Sequence, residues 1–159
     1  MTTTKTHNAA MLRALSDAQT IVIKVGSALV RGADNAVNMP WFTAIADDLR
    51  ALQAQGKRIA VVSSGGVALG RETLGIDFTT PPSQIPLALK QAASAVGQYH
   101  MYNAYHRALA AHNIPTAQVL LTLSETENRR MYLNARATLD ALMSQNIIPI
   151  INENDSIST

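Results

Sequence analysis

The stretch IAVVSSGGVALG, residues 59–70, decides the predicted fold of this 159-residue chain. Its first four residues are apolar without alternation, which is typical of a short strand buried on both faces of a sheet. The small residues SSGG at 63–66 end the run, and apolar residues then recur at helical spacing from Val67. A strand that turns through small residues into a helix presents unpaired backbone N–H groups, which suit an anion. These residues alone leave open an ordinary tight turn that binds nothing.

A second strand is predicted in TIVIKVGSALV, residues 20–30, because a β-branched run there ends at Gly26. Lys24 would reach the carboxyl edge of the sheet, where open α/β sheets bind their ligands. A lysine that extends to water is the alternative. Between the two strands, residues 40–55 carry an apolar helical face, and Gly56 is expected to end that helix in a left-handed conformation. The order strand–helix–strand predicts that the two strands are parallel.

The remaining chain continues the alternation of helices and strands. Residues 9–18 predict a short helix, and residues 87–113 predict a long one whose first half is rich in small side chains. The third predicted strand is AQVLLTL, residues 117–123. A fourth is IIPII, residues 147–151, whose proline suits an edge strand or a strand end beside a bulge.

Two helices are predicted between the third and fourth strands. The sequence SETE at 124–127 matches a capping box, so the first should start near Glu125. The second is expected from about Asn134 to Ser144, and its inward residues would be Ala135, Leu139 and Leu142.

Polar groups follow three of the predicted strands, at residues 24–27, 63–66 and 152–155. Because the carboxyl ends of parallel strands share one edge, these groups are expected to converge on one pocket. A cation, backbone donors and carboxamide or carboxylate groups suit a phosphate and a small polar substrate, and phosphoryl transfer requires mainly positioning and charge neutralisation. The chain has no Walker-type loop and no histidine near these turns, which disfavours a P-loop enzyme and a Ser/His/Asp hydrolase.

Composition narrows the classes of function. The net charge is only +2 without a basic cluster, which disfavours nucleic-acid binding. Cysteine is absent, which excludes disulfides and thiolate sites, and the scattered spacing of His100, His106 and His112 predicts no metal site. No apolar run reaches membrane-spanning length, and residues 1–18 lack the core of a signal peptide. The expectation is a soluble, cytoplasmic α/β protein that does not associate with membranes.

The chain resembles the amino acid kinase family, and within it the glutamate 5-kinase family, from Thr20 to Thr159. Six segments occur in family order: IVIKVGSALV, VVSSGGVALGRETLG, KQAASAVGQYHMYNAY, QVLLT, YLNARATLDAL and IIPIINENDSIST. The resemblance implies a three-layer α/β/α sandwich on a parallel sheet. It also implies ATP-dependent phosphorylation of the side-chain carboxylate of L-glutamate to L-glutamyl 5-phosphate, the first step of proline biosynthesis.

The resemblance assigns roles to individual residues. Lys24 would contact the phosphates of ATP, which acts with Mg²⁺, and neutralise charge on the transferred group, with Gly26 and Ser27 in the same nucleotide site. The substrate site would hold Ser64 as a glutamate contact and Asp155 on the amino group, together with the remaining predicted residues, which are Gly65, Gly66, Asn152 and Asn154. Feedback inhibition by L-proline and a homo-oligomeric state are further implications.

The family pattern continues beyond the sequence NENDS with a catalytic aspartate, the adenine site and a second lysine, whereas this chain ends at Thr159. We therefore expect residues 1–19 to be an extension with a short helix, and residues 20–159 to be the truncated, glutamate-binding part of a kinase domain that is inactive alone. Two alternatives stay open. One is a module that senses glutamate or proline without catalysis, and the other is a structural Rossmann-like fragment without a ligand.

Overall fold

A four-stranded parallel sheet organises the computed structural model, which describes residues 13–157. The strand order is β1-β2-β4-β3, and the strands are β1 (Thr20–Val25), β2 (Arg58–Ser63), β3 (Thr116–Leu121) and β4 (Ile148–Glu153). The helices are α1 (Ser27–Val30), α2 (Met39–Ala54), α3 (Gly66–Thr73), α4 (Leu87–Ala110), α5 (Leu123–Glu127) and α6 (Arg129–Ser144). A short 3₁₀ turn spans Pro82–Gln84, and residues 13–17 are also helical.

The central strand and its neighbour form as predicted. Strands β1 and β2 pair in parallel with Val25 beside Ser63. The intervening helix α2 ends before Gly56, whose φ of 76° is the left-handed conformation that the sequence predicted. Ile59, Ala60 and Val61 are buried, and Val62 is partly buried. The parallel α/β class is thereby confirmed. Of the predicted helix at 9–18, residues 9–12 lie outside the described part of the chain.

The side of the sheet covered by α2 and α4 contains the hydrophobic core. Alternate residues of the strands point to this side, including Ile59, Val61 and Ile150. Phe42 of α2 packs edge-to-face against Tyr105 of α4, with ring centroids 4.7 Å apart. Tyr105 also donates a hydrogen bond to Ser63 at the end of β2. These contacts fix α4 under the carboxyl end of the sheet.

Helices α3 and α4 pack with their backbones in contact. A Cβ atom on Gly97 would lie 1.7 Å from the carbonyl oxygen of Gly66. A Cβ on Gly70 would lie 1.8 Å from the carbonyl oxygen of Ala93. Both distances are far below van der Waals contact, so only glycine permits this approach. The small residues noted in the first half of the long helix therefore serve helix packing.

The opposite side of the sheet is covered by α6, which completes the three-layer arrangement. Arg58, whose side chain points away from the core, forms a 3.7 Å ion pair with Asp140 of α6. None of the 16 residues of α6 is fully buried, and Ala135, Leu139 and Leu142 are only partly buried. Val22 of the edge strand β1 is 63% exposed on this side. The second side of the sheet is therefore more open than the first.

Of the two positions predicted for Pro149, the edge strand is wrong, because β4 lies between β2 and β3. The strand end is the better description, since Pro149 is the second residue of β4. The N–H groups of Ile148 and Asn154 donate toward β3, to the carbonyls of Pro115 and Leu121. Since successive residues of a parallel strand donate to opposite neighbours, the nitrogen of Pro149 faces β2. The pairing between β2 and β4 begins at Ile150, one residue later. The missing donor therefore falls at the end of that ladder and costs no paired hydrogen bond.

Two helix starts also differ from the prediction. The capping box is formed by Thr122 and Glu125, so α5 begins at Leu123 rather than near Glu125. Helix α6 begins at Arg129, five residues before the predicted Asn134, because the side chain of Asn128 accepts hydrogen bonds from its first turn. Within residues 13–157, no helix combines the length and the apolar content needed to cross a bilayer.

Candidate functional site

A cavity of about 420 Å³ opens at the carboxyl edge of the sheet. It lies where the turns after β1, β2 and β4 approach one another, as the three polar strand ends predicted. Of the predicted residues, those that line it are Ser27, Ser64, Gly65, Gly66, Asn152 and Asp155. Lys24, Gly26 and Asn154 are not among the lining residues. The other charged groups around the cavity are Arg71, Lys90 and Glu153.

The floor of the cavity is the turn from β2 into α3. Gly65 has φ 121°, a conformation that favours glycine, and a Cβ there would lie 2.6 Å from Val30. Helix α3 begins at Gly66, so its first N–H groups have no partner within the helix. Val67 and Ala68 of this first turn also line the cavity. The turn is therefore a surface of backbone donors suited to a negatively charged ligand.

The two serines of this turn face different environments. Ser63 is 1% exposed, and its hydroxyl lies 3.2 Å from the sulfur of Met101, on the core side. Burial raises the pKa of Tyr105 to about 12, and the hydrogen bond to Ser63 opposes part of that rise. Ser64 lines the cavity, but its hydroxyl donates to the carbonyl of Val25 at 3.1 Å. In this geometry Ser64 offers its oxygen as an acceptor to a ligand.

Asp155 is held by a helix that the sequence-based prediction did not assign to the site. Its Oδ2 atom accepts a 2.7 Å hydrogen bond from the hydroxyl of Ser94 in α4. Gln98 donates to the same hydroxyl oxygen at 3.1 Å and to the carbonyl of Glu153 at 2.9 Å. Ser94 is fully buried and Gln98 is 4% exposed. The signal was available, because Lys90, Ser94 and Gln98 form a polar row at i, i+4 and i+8 in an alanine-rich helix.

The two asparagines of the last turn differ in position. Asn152 is 8% exposed, lines the cavity, and has a buried Nδ2 atom without a partner among the described residues. Such an atom is costly unless a ligand or water accepts from it. The backbone N–H of Asn154 donates to Leu121, and its side-chain oxygen accepts from Ser156. Asn154 thus shapes the turn and does not line the cavity, and its contact with substrate stays a prediction.

Lys24 lies at the same edge of the sheet but outside the cavity. It is exposed and pairs in register with Val62, on the open side of the sheet. Its Nζ atom lies 3.9 Å from the position that a Cβ on Gly26 would occupy. Within residues 13–157, Nζ has no hydrogen-bond or ion-pair partner. A cation free to bind a ligand therefore stands at the end of β1.

Arg71 of α3 is a second site residue that the prediction missed. It is 7% exposed, donates to the carbonyls of Asp77 and Thr80, and lies 5.3 Å from the centre of the Phe78 ring. Its Nε atom is buried without a partner among the described residues. The pKa of the Asp77 carboxyl lies below its usual value, chiefly because the backbone N–H and hydroxyl of Thr79 donate to it. Arg71 thereby anchors the loop beside the cavity.

Comparison with known proteins identifies the family. Residues 19–159 match the model of the amino acid kinase family. The chain belongs to this family. It is 50% identical over 149 residues to a glutamate 5-kinase of Ruegeria sp. (strain TM1040), a match that covers 93% of this chain and 39% of the relative. It is 47% identical over 146 residues to a glutamate 5-kinase of Dinoroseobacter shibae, a match that covers 91% of this chain and 39% of that relative.

The chain thus spans 39% of the length of these relatives. Among solved structures, Giardia carbamate kinase superposes with a TM-score of 0.49 at 16% identity, covering 86% of this chain and 58% of that protein. Among residues 13–157, no group of three or more His, Asp or Glu side chains is placed to hold a metal ion.

Proposed function

We propose that this chain is the glutamate-binding part of a kinase that transfers the terminal phosphoryl group of ATP to the side-chain carboxylate of L-glutamate. The observation that carries the proposal is the convergence of Ser64, the α3 turn and Asp155 on one cavity. The names of relatives 47–50% identical support the choice of glutamate.

The cavity has the groups needed to position such a substrate. Asp155 would bind the ammonium group, and the N–H groups of the α3 turn would bind the side-chain carboxylate. A carboxylate oxygen would form a bond to the terminal phosphorus while the bond from that phosphorus to the leaving ADP oxygen breaks. The backbone donors and Lys24 would offset the negative charge at this step.

The chain's residues fit the phosphates of ATP, with Mg²⁺ as their counter-ion. Lys24 is an unpaired cation at the sheet edge, and Gly26 beside it leaves the strand end open to a ligand. Ser27 lies between this strand end and the cavity, which it also lines. We therefore infer that the nucleotide approaches over the end of β1 and the amino acid occupies the cavity. The wider proposal includes a cytoplasmic homo-oligomer at the first step of proline biosynthesis, with L-proline as inhibitor.

The binding step is tested by titration calorimetry of this chain with L-glutamate. We expect Asp155→Asn to weaken binding by about 10-fold or more, since a charge-assisted hydrogen bond is lost. Asp140→Asn, on the other side of the sheet, is the matched control and should bind as the parent does. A parent chain that binds no glutamate at millimolar concentration, or an Asp155→Asn variant with parental affinity, contradicts the proposal.

A second titration separates phosphoryl transfer from ligand sensing. A non-hydrolysable ATP analogue should bind the parent chain and bind Lys24→Met less tightly, because the variant keeps the length of the side chain but removes its charge. Binding of glutamate without any binding of the analogue would favour the sensing module instead.

A further inference from the structure

Two opposite charges line the cavity without pairing with each other. Lys90, in the first turn of α4, is partly buried, and its Nζ atom has no hydrogen-bond or ion-pair partner within residues 13–157. Asp155 uses its Oδ2 atom to accept from Ser94, and its Oδ1 atom has no partner in the described structure. A cation and a carboxylate oxygen thus both face the same cavity unpaired.

Helix geometry places Lys90 next to the residue that holds Asp155. Lys90 and Ser94 are one turn apart on the same face of α4, so their Cβ atoms lie about 5–6 Å from each other. Ser94 in turn is within 2.7 Å of the Asp155 carboxylate. Lys90 and Asp155 therefore extend into the cavity from adjacent positions, and their charged atoms are more than 4 Å apart, beyond the range of an ion pair. The space between them suits a group that carries one charge of each sign.

The surroundings of Lys90 favour an anion there. A lysine in the first turn of a helix opposes the helix dipole, so its position does not stabilise α4. Arg71 adds a second positive charge to the same cavity, is 7% exposed, and has a buried Nε atom without a partner in the described structure. Its Nη2 atom is committed to the carbonyls of Asp77 and Thr80, which holds the guanidinium in place. Lys90 and Arg71 therefore provide two positive charges in a cavity that the carboxylates of Glu153 and Asp155 also line.

We propose that Lys90 binds the α-carboxylate of the amino acid while Asp155 binds its α-ammonium group. The inference rests on the proposed function, because it names the residue that recognises one further group of the same substrate. Lys90 is thus a specificity-determining residue, which selects a zwitterionic amino acid over an amine that lacks the α-carboxylate. Arg71 contributes positive charge to the same cavity and positions its loop.

The test uses Lys90→Met with two ligands that differ by one group. L-glutamate has the α-carboxylate, and 4-aminobutyrate lacks it but keeps the ammonium group and the distal carboxylate. We expect Lys90→Met to weaken glutamate binding about 10-fold and to change 4-aminobutyrate binding by less than twofold, both followed by NMR titration. Lys90→Arg should retain most of the glutamate affinity. Arg50→Met, an exposed cation on α2, is the control and should leave both affinities unchanged.

The outcomes separate this inference from the proposed function. Parental glutamate affinity in Lys90→Met overturns the inference and leaves glutamate binding intact. An equal loss for both ligands also overturns it, because the effect is then not on the α-carboxylate. If the parent chain binds neither ligand, the proposed function fails and the assignment of Lys90 fails with it.

Discussion

Helices α4 and α6 lie on opposite sides of one sheet and are stabilised in different ways. Helix α4 buries nine residues, five of which are Gly, Ala or Ser. Helix α6 has the clearer amphipathic sequence, with Ala135, Leu139 and Leu142 on one face, but none of its residues is fully buried. Small side chains allow the backbone of α4 to approach α3, whereas the apolar stripe of α6 is only partly buried on the open side. Apolar periodicity therefore indicates which face of a helix turns inward, and side-chain size determines how closely that face packs.

The difference between α4 and α6 matters for the candidate site, because the polar side chains that hold Asp155 lie on the densely packed side of the sheet. Ser94 and Gln98 can hold Asp155 only because α4 lies within hydrogen-bond distance of the turn after β4. The open side contributes Lys24, an exposed residue without a partner among residues 13–157. The proposed substrate residue Asp155 is thus held in place by a packed helix, whereas the side chain of Lys24, proposed to bind the nucleotide, is not.

The largest expected effect is that of Gly97→Ala in α4. Alanine favours a helix by about 1 kcal/mol over glycine. The added Cβ would lie 1.7 Å from the carbonyl oxygen of Gly66, and because both partners are backbone, neither can move alone. We expect a loss of more than about 3 kcal/mol in the free energy of unfolding, measured by urea denaturation. Asn134→Ala on α6 is the matched control, with a change within about 0.5 kcal/mol. Equal stabilities for the two variants would contradict the contrast between the helices.

An intermediate effect is expected from Tyr105 at alkaline pH. Burial raises the pKa of Tyr105 to about 12, so the folded state keeps the proton at pH values where the unfolded state has lost it. Its contribution to stability is complete below about pH 10 and decreases by about 1.4 kcal/mol per pH unit between 10 and 12. The free energy of unfolding, measured over this pH range, should decrease less for Tyr105→Phe than for the parent. Tyr132→Phe, on the open side, should lose stability with rising pH as steeply as the parent does. If Tyr105→Phe also does so, burial of Tyr105 is not the cause of the decrease.

The smallest effect concerns the open side, where local hydrogen bonds support helices that packing does not bury. The carboxylate of Glu125 accepts from both the N–H and the hydroxyl of Thr122, at 2.6 Å each. Thr122→Ala should lower the free energy of unfolding by about 1 kcal/mol, as the loss of a helix cap does. Ser124→Ala, at the position that the sequence pattern favoured as the cap, should have little effect. A larger loss of stability in Ser124→Ala than in Thr122→Ala would show that the helix begins near Glu125, as the sequence pattern predicted.

Local chemistry explains which features could be predicted from the sequence. The strands β1 and β2, the left-handed Gly56 and the turn at Gly65 depend on residues close together in the chain, and all were predicted correctly. For Pro149 the sequence left an edge strand and a strand end open, because strand order depends on which strands pair at long range. The capping box was displaced by two residues because Thr122 with Glu125 and Ser124 with Glu127 both match its pattern, and the local sequence does not choose between them.

The sequence by itself determined that the stretch IAVVSSGGVALG is a buried strand that turns into a helix with free backbone donors. It also determined the parallel order of the strands and the edge at which their polar ends meet. Tertiary structure decided that the Ser64 hydroxyl donates a hydrogen bond to the carbonyl of Val25 and that Asn154 does not line the cavity. It also decided that Lys90 and Arg71 line the cavity and that Ser94 holds Asp155. The physical reason is that the spacing of apolar residues and the local composition reflect only a few neighbouring residues. A hydrogen bond such as that from Ser94 to Asp155 joins residues 61 positions apart in the chain.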